Sequence, residues 1–167
     1  MKFWVSMVFS TDDLSTENLE YFKYWDYVKQ TIPDFKMIAF VIAEGLDGRF
    51  GEWFQSHKDW VEIGVHCYNH DRVQEGWRDD QEYWIEKAVE VLRPFLPKRY
   101  LYRPPGFRFL AKTEKIIKKI GFSGIAHQEF IKYFDTNEKL EVFNTHCTLN
   151  QYKNPIGAIW KKIIENH

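Results

Sequence analysis

Two histidines four residues apart are the first feature of this sequence that could do chemistry. His66 and His70 form an H-x-x-x-H motif, and residues with this spacing share one face of a helix or of a single turn. Two imidazoles on one face suit a zinc-like ion, which in a catalytic site takes a third protein ligand and leaves one position for water. An isolated motif of this kind is more often a pair of polar loop histidines.

A pair of adjacent acids, Asp12 and Asp13, follows the first apolar stretch. Neighbouring residues on a strand point to opposite faces, so both acids serve one site only where the strand ends. There, one carboxylate could hold a metal while the other takes a proton from water, and a cation between them would favour ionisation of both. The alternative interpretation is a helix N-cap supplied by Asp13 or Ser15.

Arg103 and His146 occupy similar positions after apolar stretches. Arg103 precedes Pro104-Pro105-Gly106, and the prolines stiffen the backbone around it. A rigidly held guanidinium can orient a carboxylate. The plainer alternatives are a surface turn with an incidental arginine and, for His146, a hydrogen-bonded core histidine.

Alternating strands and helices must position these residues. We predict helices over residues 15–30, 79–93, 112–120 and 155–165, a short helix before residue 60, and strands over residues 2–10, 36–43, 60–67, 100–103, 121–126 and 141–146. This alternation predicts parallel strands with helices outside, in an α/β barrel or an open sheet. Because ligands bind at the carboxyl ends of parallel strands, the acids, the histidines and the arginine should meet at one rim.

Length and composition limit the classes of protein that remain. The chain has 167 residues, which predicts one domain spanning residues 1–167. Lys and Arg number 23 and Asp and Glu 24, a formal net charge of −1 that excludes a strongly basic nucleic-acid module. No apolar run reaches the roughly 20 residues of a membrane span. The first residues make a poor signal peptide, so we expect a cytoplasmic protein.

Taken together and in this order, the motifs resemble the polysaccharide deacetylase family, also called the NodB-homology family or carbohydrate esterase family 4 (CE4). That family has T-F-D-D, H-[ST]-x-x-H, R-x-P-[YF] and L-x-x-H segments. The corresponding segments of this chain are Ser10–Asp13, His66–His70, Arg103–Gly106 and Phe143–His146. The resemblance spans most of the chain.

The resemblance implies a distorted, incomplete (β/α) barrel of about six or seven parallel strands with outer helices. It also implies a metal-dependent hydrolase that removes N-acetyl groups from a sugar or glycan. The implied ligands of a divalent metal, zinc first and cobalt, nickel or manganese as alternatives, are Asp13, His66 and His70. Asp12 would be the general base, Arg103 would orient Asp12, and His146 would be the general acid. A backbone N–H after Pro105 would help to hold the oxyanion.

The chain also departs from the family pattern. Leu14 replaces a glycine, Cys67 replaces a hydroxyl residue, and Gly106 stands where an aromatic residue is usual. The family's aspartate–tryptophan segment has no clear match, so Asp135 or Glu129 would have to substitute for its carboxylate. Aromatic residues near the rim could stack on a sugar; the candidates are Trp53, Tyr68, Trp77 and Phe107.

These departures keep three alternatives open. The first is an amidohydrolase that acts on a non-sugar amide, and the second is a non-catalytic relic that binds metal or glycan. The third is a structural zinc site. Its ligands would be Cys67, His70 and Cys147.

Overall fold

A computed structural model describes residues 8–70, 80–108, 110–136 and 139–146, with residues 141 and 143–146 described by their backbone alone. The helix predicted over residues 155–165 lies outside the described residues. So do the first six residues of the strand predicted over residues 2–10.

Seven strands form the sheet: β1 (Val8–Leu14), β2 (Met37–Ile42), β3 (Val61–Cys67), β4 (Leu101–Tyr102), β5 (Gly124–Ala126), β6 (Phe130–Tyr133) and β7 (Lys139–His146). In the described part of the chain, four α-helices lie outside it: α1 (Lys23–Thr31), α2 (Gly48–His57), α3 (Gln81–Leu92) and α4 (Ala111–Ile120). Short 3-10 helices occupy Thr16–Phe22 and Pro105–Phe107. The helix predicted over residues 15–30 is therefore a 3-10 helix that continues into α1.

The strands follow one another in chain order around the sheet, and β7 pairs with β1 to close the ring. β1 to β5 are parallel neighbours, and β7 is parallel to β1. β6 runs antiparallel to both of its neighbours. With seven strands in the described residues instead of the eight of a complete barrel, and with a two-residue β4, the predicted distorted, incomplete (β/α) barrel is confirmed.

The expectation that all strands are parallel is wrong for β6. The N–H of His127 donates to the carbonyl of Phe130 at 2.7 Å, so the chain turns back directly after β5 instead of crossing over through a helix. A tight turn of this kind joins antiparallel strands. The resulting strand, Phe130–Tyr133, is only four residues long, and it is not among the strands predicted from the sequence.

Alternation of side chains along the strands separates two apolar clusters. The cluster inside the barrel contains Ile38, Phe40, Leu101, Ala126 and Ile131. The larger cluster fills the layer between sheet and helices and includes Trp25, Phe50, Ile85 and Leu92. Among the described residues, no helix is long and apolar enough to cross a membrane.

Candidate metal and catalytic site

The two adjacent acids lie on a β-bulge inside β1, not beyond its end as predicted. Thr11 pairs with Ala39 of β2, and Leu14 pairs with Val41, so a step of three residues on β1 opposes a step of two on β2. One extra residue of this kind interrupts the alternation of side chains. Asp13 carries the bulge with a φ of +62°, a left-handed conformation that aspartate tolerates better than most residues. The bulge is what allows both acids to line one cavity.

The backbone of Asp13 is held from the following 3-10 helix. Ser15 is the N-cap of that helix, and its N–H donates to Oδ1 of Asn18 at 2.9 Å. Nδ2 of Asn18 in turn donates to the carbonyl of Asp13 at 2.6 Å. Of the two N-cap candidates, the structure therefore uses Ser15, and the carboxylate of Asp13 faces the histidines.

Asp13, His66 and His70 converge at one point. Oδ1 of Asp13 lies 3.1 Å from Nε2 of His66 and 3.0 Å from Nε2 of His70. The two imidazole rings stack with centroids 5.3 Å apart, and one ligand atom from each of the three residues lies within 4.8 Å of the others. One carboxylate and two imidazoles are a donor set that divalent transition metals take, with a position left for water.

A hydrogen bond fixes which nitrogen of His66 faces the carboxylate. Nδ1 of His66 lies 2.8 Å from the backbone carbonyl of Arg103. A carbonyl only accepts, so Nδ1 donates and Nε2 is the atom that can bind a metal. Metal-ligating histidines commonly donate their other N–H in this way. His66 is 2% exposed, so the ring has little freedom to turn.

Arg103 is a fully buried cation next to this group, with 0% exposure. Its Nη2 donates to Oγ of Ser10 at 2.9 Å, and its Cζ lies 3.9 Å from the ring centre of Phe40. Burial lowers the pKa of Arg103 to about 10, against the opposing effect of the negative charges of Asp12 and Asp13. The guanidinium therefore remains charged at neutral pH and supplies a positive charge beside two carboxylates.

A cavity of about 250 Å³ opens onto these groups. It is lined by Asp12, Asp13, His66, His70, Pro105, Gly106, Phe107 and Arg108. The turn after Arg103 supplies half of this lining and is unusual in its backbone, since Gly106 and Phe107 have φ values of +60° and +57°. Phe107, one of the aromatic candidates from the sequence, follows Gly106 directly and lines the cavity.

His146 takes its place through the strand register. It is the last residue of β7 and pairs with Asp12 of β1, so its backbone lies beside the candidate base at the carboxyl ends of two parallel strands. The structure describes His146 by its backbone alone, and its role as an acid stays a prediction. Trp77 and Cys147 lie outside the described residues.

Several other candidates have different places in the structure. Trp53 packs in the helix layer, stacked on His57 at 4.6 Å, and does not line the site cavity. Asp135 forms an exposed ion pair with Arg99 at 2.8 Å and does not line the site cavity. In the described part of the chain, the metal-type group comprises Asp13, His66 and His70 and leaves out the buried Cys67.

A larger cavity, of about 680 Å³, lies at the opposite end of the barrel. Its lining comes from the amino ends of the first three strands, through residues such as Val8, Met37 and Val61. The metal-type group found among the described residues lies at the other end. Converging polar groups, and not cavity size, mark the candidate site.

Neither a protein-family model nor a curated protein matches the sequence. The fold does match solved structures. A polysaccharide deacetylase from Bacillus cereus is 17% identical with a TM-score of 0.65, and the match covers 98% of this chain and 89% of that one. A family 4 carbohydrate esterase from Streptomyces lividans, solved in complex with acetate, is 14% identical with a TM-score of 0.65, over 92% and 83% of the two chains.

A CE4 pseudoenzyme from Bacillus anthracis has a similar fold as well. It is 12% identical with a TM-score of 0.57, over 97% of this chain and 63% of its own, so this chain spans less than two thirds of that protein. At identities this low the likeness establishes the fold, which is the one found in CE4 polysaccharide deacetylases. The fold predicted from the motifs is confirmed at this level.

Proposed function

We propose that this protein is a metal-dependent deacetylase that removes N-acetyl groups from a sugar or glycan. The observation that carries the proposal is the convergence of Asp13, His66 and His70 beside the buried pair Asp12 and Arg103. Three strands deliver these residues to the carboxyl end of the barrel, which is where chemistry is found in folds of this kind.

The proposed metal ligands are Asp13, His66 and His70. A divalent metal at this position supplies Lewis acidity, which lowers the pKa of a bound water and polarises a carbonyl group. Nitrogen and carboxylate donors suit zinc first, with cobalt, nickel and manganese as alternatives. The hydrogen bond from His66 to the carbonyl of Arg103 fits such a ligand, because it orients the ring and directs Nε2 towards the site.

Asp12 is the proposed general base. It lines the cavity and is only 2% exposed, so a proton that it takes from water stays inside the site. The two groups interact electrostatically within the barrel. Arg103 therefore supplies a positive charge beside Asp12 and orients it, which is the role that the resemblance implies.

The remaining roles concern the departing group and the developing oxyanion. We assign the general acid to His146, whose backbone pairs with Asp12 across β1 and β7. The acid would protonate the departing amine. In the turn after Arg103, the N–H groups of Phe107 and Arg108 donate to Pro104 and Pro105. We assign the oxyanion donor to the N–H of Gly106, which lines the cavity.

The experiment begins with protein stripped of metal by a chelator and then reloaded with zinc or cobalt. Release of acetate from N-acetylglucosamine oligomers should appear only after reloading. Amine formation in equal amount should accompany the acetate, because one amide bond is hydrolysed in each turnover. Failure of the reloaded protein to release acetate from these oligomers and from other N-acetylated glycans would overturn the proposal.

Two other functions remain for a protein with this fold. One is an amidohydrolase that acts on a non-sugar amide, and the other is a non-catalytic relic that binds metal or glycan. The tight turn between β5 and β6 favours these alternatives, because residues 126–129 stand where the family's aspartate–tryptophan segment is expected. A panel of simple N-acetyl amides, run beside the oligomers with the same reloaded protein, separates these outcomes. Turnover of the simple amides alone would favour the amidohydrolase, and metal binding without turnover would favour the relic.

A further inference from the structure

The guanidinium of Arg103 is held inside the barrel by more than its charge. The side chain is 0% exposed, so water cannot supply the contacts that normally satisfy and orient it. A planar cation in this setting can be fixed by a hydrogen bond at its edge and by an aromatic ring against its face. The structure provides both, in Ser10 and Phe40.

The aromatic ring lies where a glycine makes room for it. Phe40 on β2 is the register partner of Gly64 on β3. A Cβ atom at Gly64 would lie 2.5 Å from Cε1 and 2.6 Å from Cδ1 of Phe40, closer than non-bonded carbon atoms approach. The ring therefore occupies the space that a side chain at residue 64 would fill. The ring also contacts Arg103, whose Cζ lies 3.9 Å from the ring centre.

The strand β1 continues this arrangement towards the acids. Ser10 accepts from Nη2 of Arg103, and Asp12 follows two residues later on the same strand. Residues two apart share one face of a strand, and both are buried. A guanidinium that is bonded to Ser10 is therefore held beside the residue that we propose as the base.

We propose that Phe40 is a positioning residue, whose ring, lying over Gly64, supports the guanidinium of Arg103 from one face while Ser10 fixes its edge. Together the two contacts set the plane and the rotation of the guanidinium next to Asp12. The effect on catalysis rests on the deacetylase function proposed above. The support given to Arg103 itself does not, and it can be measured separately.

The first experiment reads the position of Arg103 without any substrate. A guanidinium held against an aromatic face has NMR resonances shifted upfield by the ring current. In protein with isotope-labelled arginine, Phe40→Leu should remove this shift from the Arg103 side chain. Phe50→Leu is the matched control, because Phe50 is equally buried but lies in the helix layer against Trp53 and Phe95. It should leave the Arg103 resonances in place.

The second experiment reads catalysis in the metal-loaded protein. Phe40→Leu should lower kcat about tenfold with little change in KM, since a desolvated cation–π contact has roughly that energy. Phe50→Leu should lower the free energy of unfolding by about as much as Phe40→Leu does, but it should leave kcat unchanged. Replacing Phe40 with phenylalanines of increasing fluorination keeps the ring shape and weakens the attraction to a cation, so kcat should decline stepwise along the series.

The outcomes separate the two proposals. An unchanged Arg103 resonance in Phe40→Leu, or equal changes in both leucine variants, would overturn the positioning role. If the wild type turns over substrate, a fluorination series at residue 40 without effect on kcat would also overturn the positioning role. A wild type that shows the ring-current shift but no acetate release would instead overturn the proposed function and leave the support of Arg103 standing.

Discussion

Among the described residues, carboxylate meets imidazole at two places, and the two differ in ways that bear on function. At the carboxyl end of the barrel, Asp13 faces both His66 and His70 at 3.1 and 3.0 Å. In the helix layer, Asp26 of α1 faces His57 of α2 at 2.9 Å. Distance alone does not distinguish them.

The imidazole of the pair in the helix layer has partners at both of its nitrogens. Nε2 of His57 donates to Asp26, and Nδ1 contacts the carbonyl of Trp53 at 2.6 Å. The ring stacks on Trp53 and meets Phe22 edge-on. Burial alone lowers the pKa of His57, but the hydrogen bonds to Asp26 and Trp53 outweigh it, and the pKa is raised. This histidine joins two helices and has no nitrogen left for another partner.

The three residues at the barrel end are arranged differently. Two imidazole nitrogens point at the same carboxylate oxygen, and a cavity of about 250 Å³ reaches all three residues. Three donors around one point suit a cation better than they suit one another. The comparison teaches that convergence and access, and not carboxylate–imidazole pairing, identify a metal site.

The largest expected effect comes from removing the charge of Asp13. Asn tolerates the positive φ at this position, so Asp13→Asn should keep the bulge while it weakens the metal site. We expect affinity for cobalt or zinc to fall more than about 100-fold and kcat/KM to fall about 10³-fold. Metal titration followed by absorbance of the cobalt protein gives the first value. Asp26→Asn is the matched control, and an equal loss of metal affinity in that variant would contradict the comparison.

The neighbouring substitution should separate binding from catalysis. Asp12→Asn removes the proposed base and leaves the three ligands intact, so metal affinity should change little. The turnover number should fall by about 10²-fold or more, as expected for loss of a general base. Acetate release and metal titration on the same preparation test both statements. If Asp12→Asn strongly weakened metal binding and kept turnover per bound metal, the assigned roles of the two acids would be reversed.

A third substitution tests the packing beneath the barrel-end group. Gly64→Ala adds a methyl group that meets the ring of Phe40, and overpacking of this kind costs about 1–3 kcal/mol. The free energy of unfolding, from denaturant titration, should fall by that amount. Gly51→Ala is the control, because a Cβ there meets nothing within 4 Å. It should stabilise α2 slightly.

The smallest expected effect is the pH dependence of the helix-layer pair. Because the pKa of His57 is raised in the folded protein, its stabilisation is fully present below the unfolded value near 6.5. It declines as the pH rises through the folded-state pKa. Asp26→Asn should cost about 0.5 kcal/mol at pH 6, because the carboxylate is 40% exposed and screened by solvent.

At pH 9 the same substitution should cost less, since the imidazole is then neutral in both proteins. Denaturant titrations of wild type and variant at the two pH values give the comparison. A larger cost at pH 9 than at pH 6 would contradict a protonated His57. The Asp26→Asn substitution should leave the rate of acetate release unchanged at either pH.

Much of the barrel could be predicted from sequence, because the local pattern of apolar residues identifies most of its strands. β2 is a continuous apolar run bounded by polar residues, the pattern of a strand that is buried on both faces. The H-x-x-x-H spacing and the acid pair likewise stand out without any fold. β6 could not be predicted, because four residues after a tight turn carry too little periodicity to separate a strand from a loop.

The convergence of the site depended on features that sequence does not display. Adjacent acids point apart on a regular strand, and they share a site here because of a one-residue bulge at Asp13. The bond from His66 to the carbonyl of Arg103 links segments 37 residues apart. The proposed role of Phe40 could not be predicted from the sequence. It depends on the strand register that pairs Phe40 with Gly64 and on the contact of its ring with Arg103.

The pairing of β1 with β7 sets the order in which the site can be assembled during synthesis. Asp12 belongs to the first described strand and His146 ends the last, so the proposed base and the proposed acid leave the ribosome far apart in time. Chains are made from the amino end at about 5–20 residues per second. Several seconds therefore pass between the synthesis of β1, which carries the acids, and the synthesis of β7. During that time the edge of β1 that pairs with β7 is uncovered. A nascent chain halted before β7 would carry all three proposed metal ligands and still lack the strand that closes the barrel.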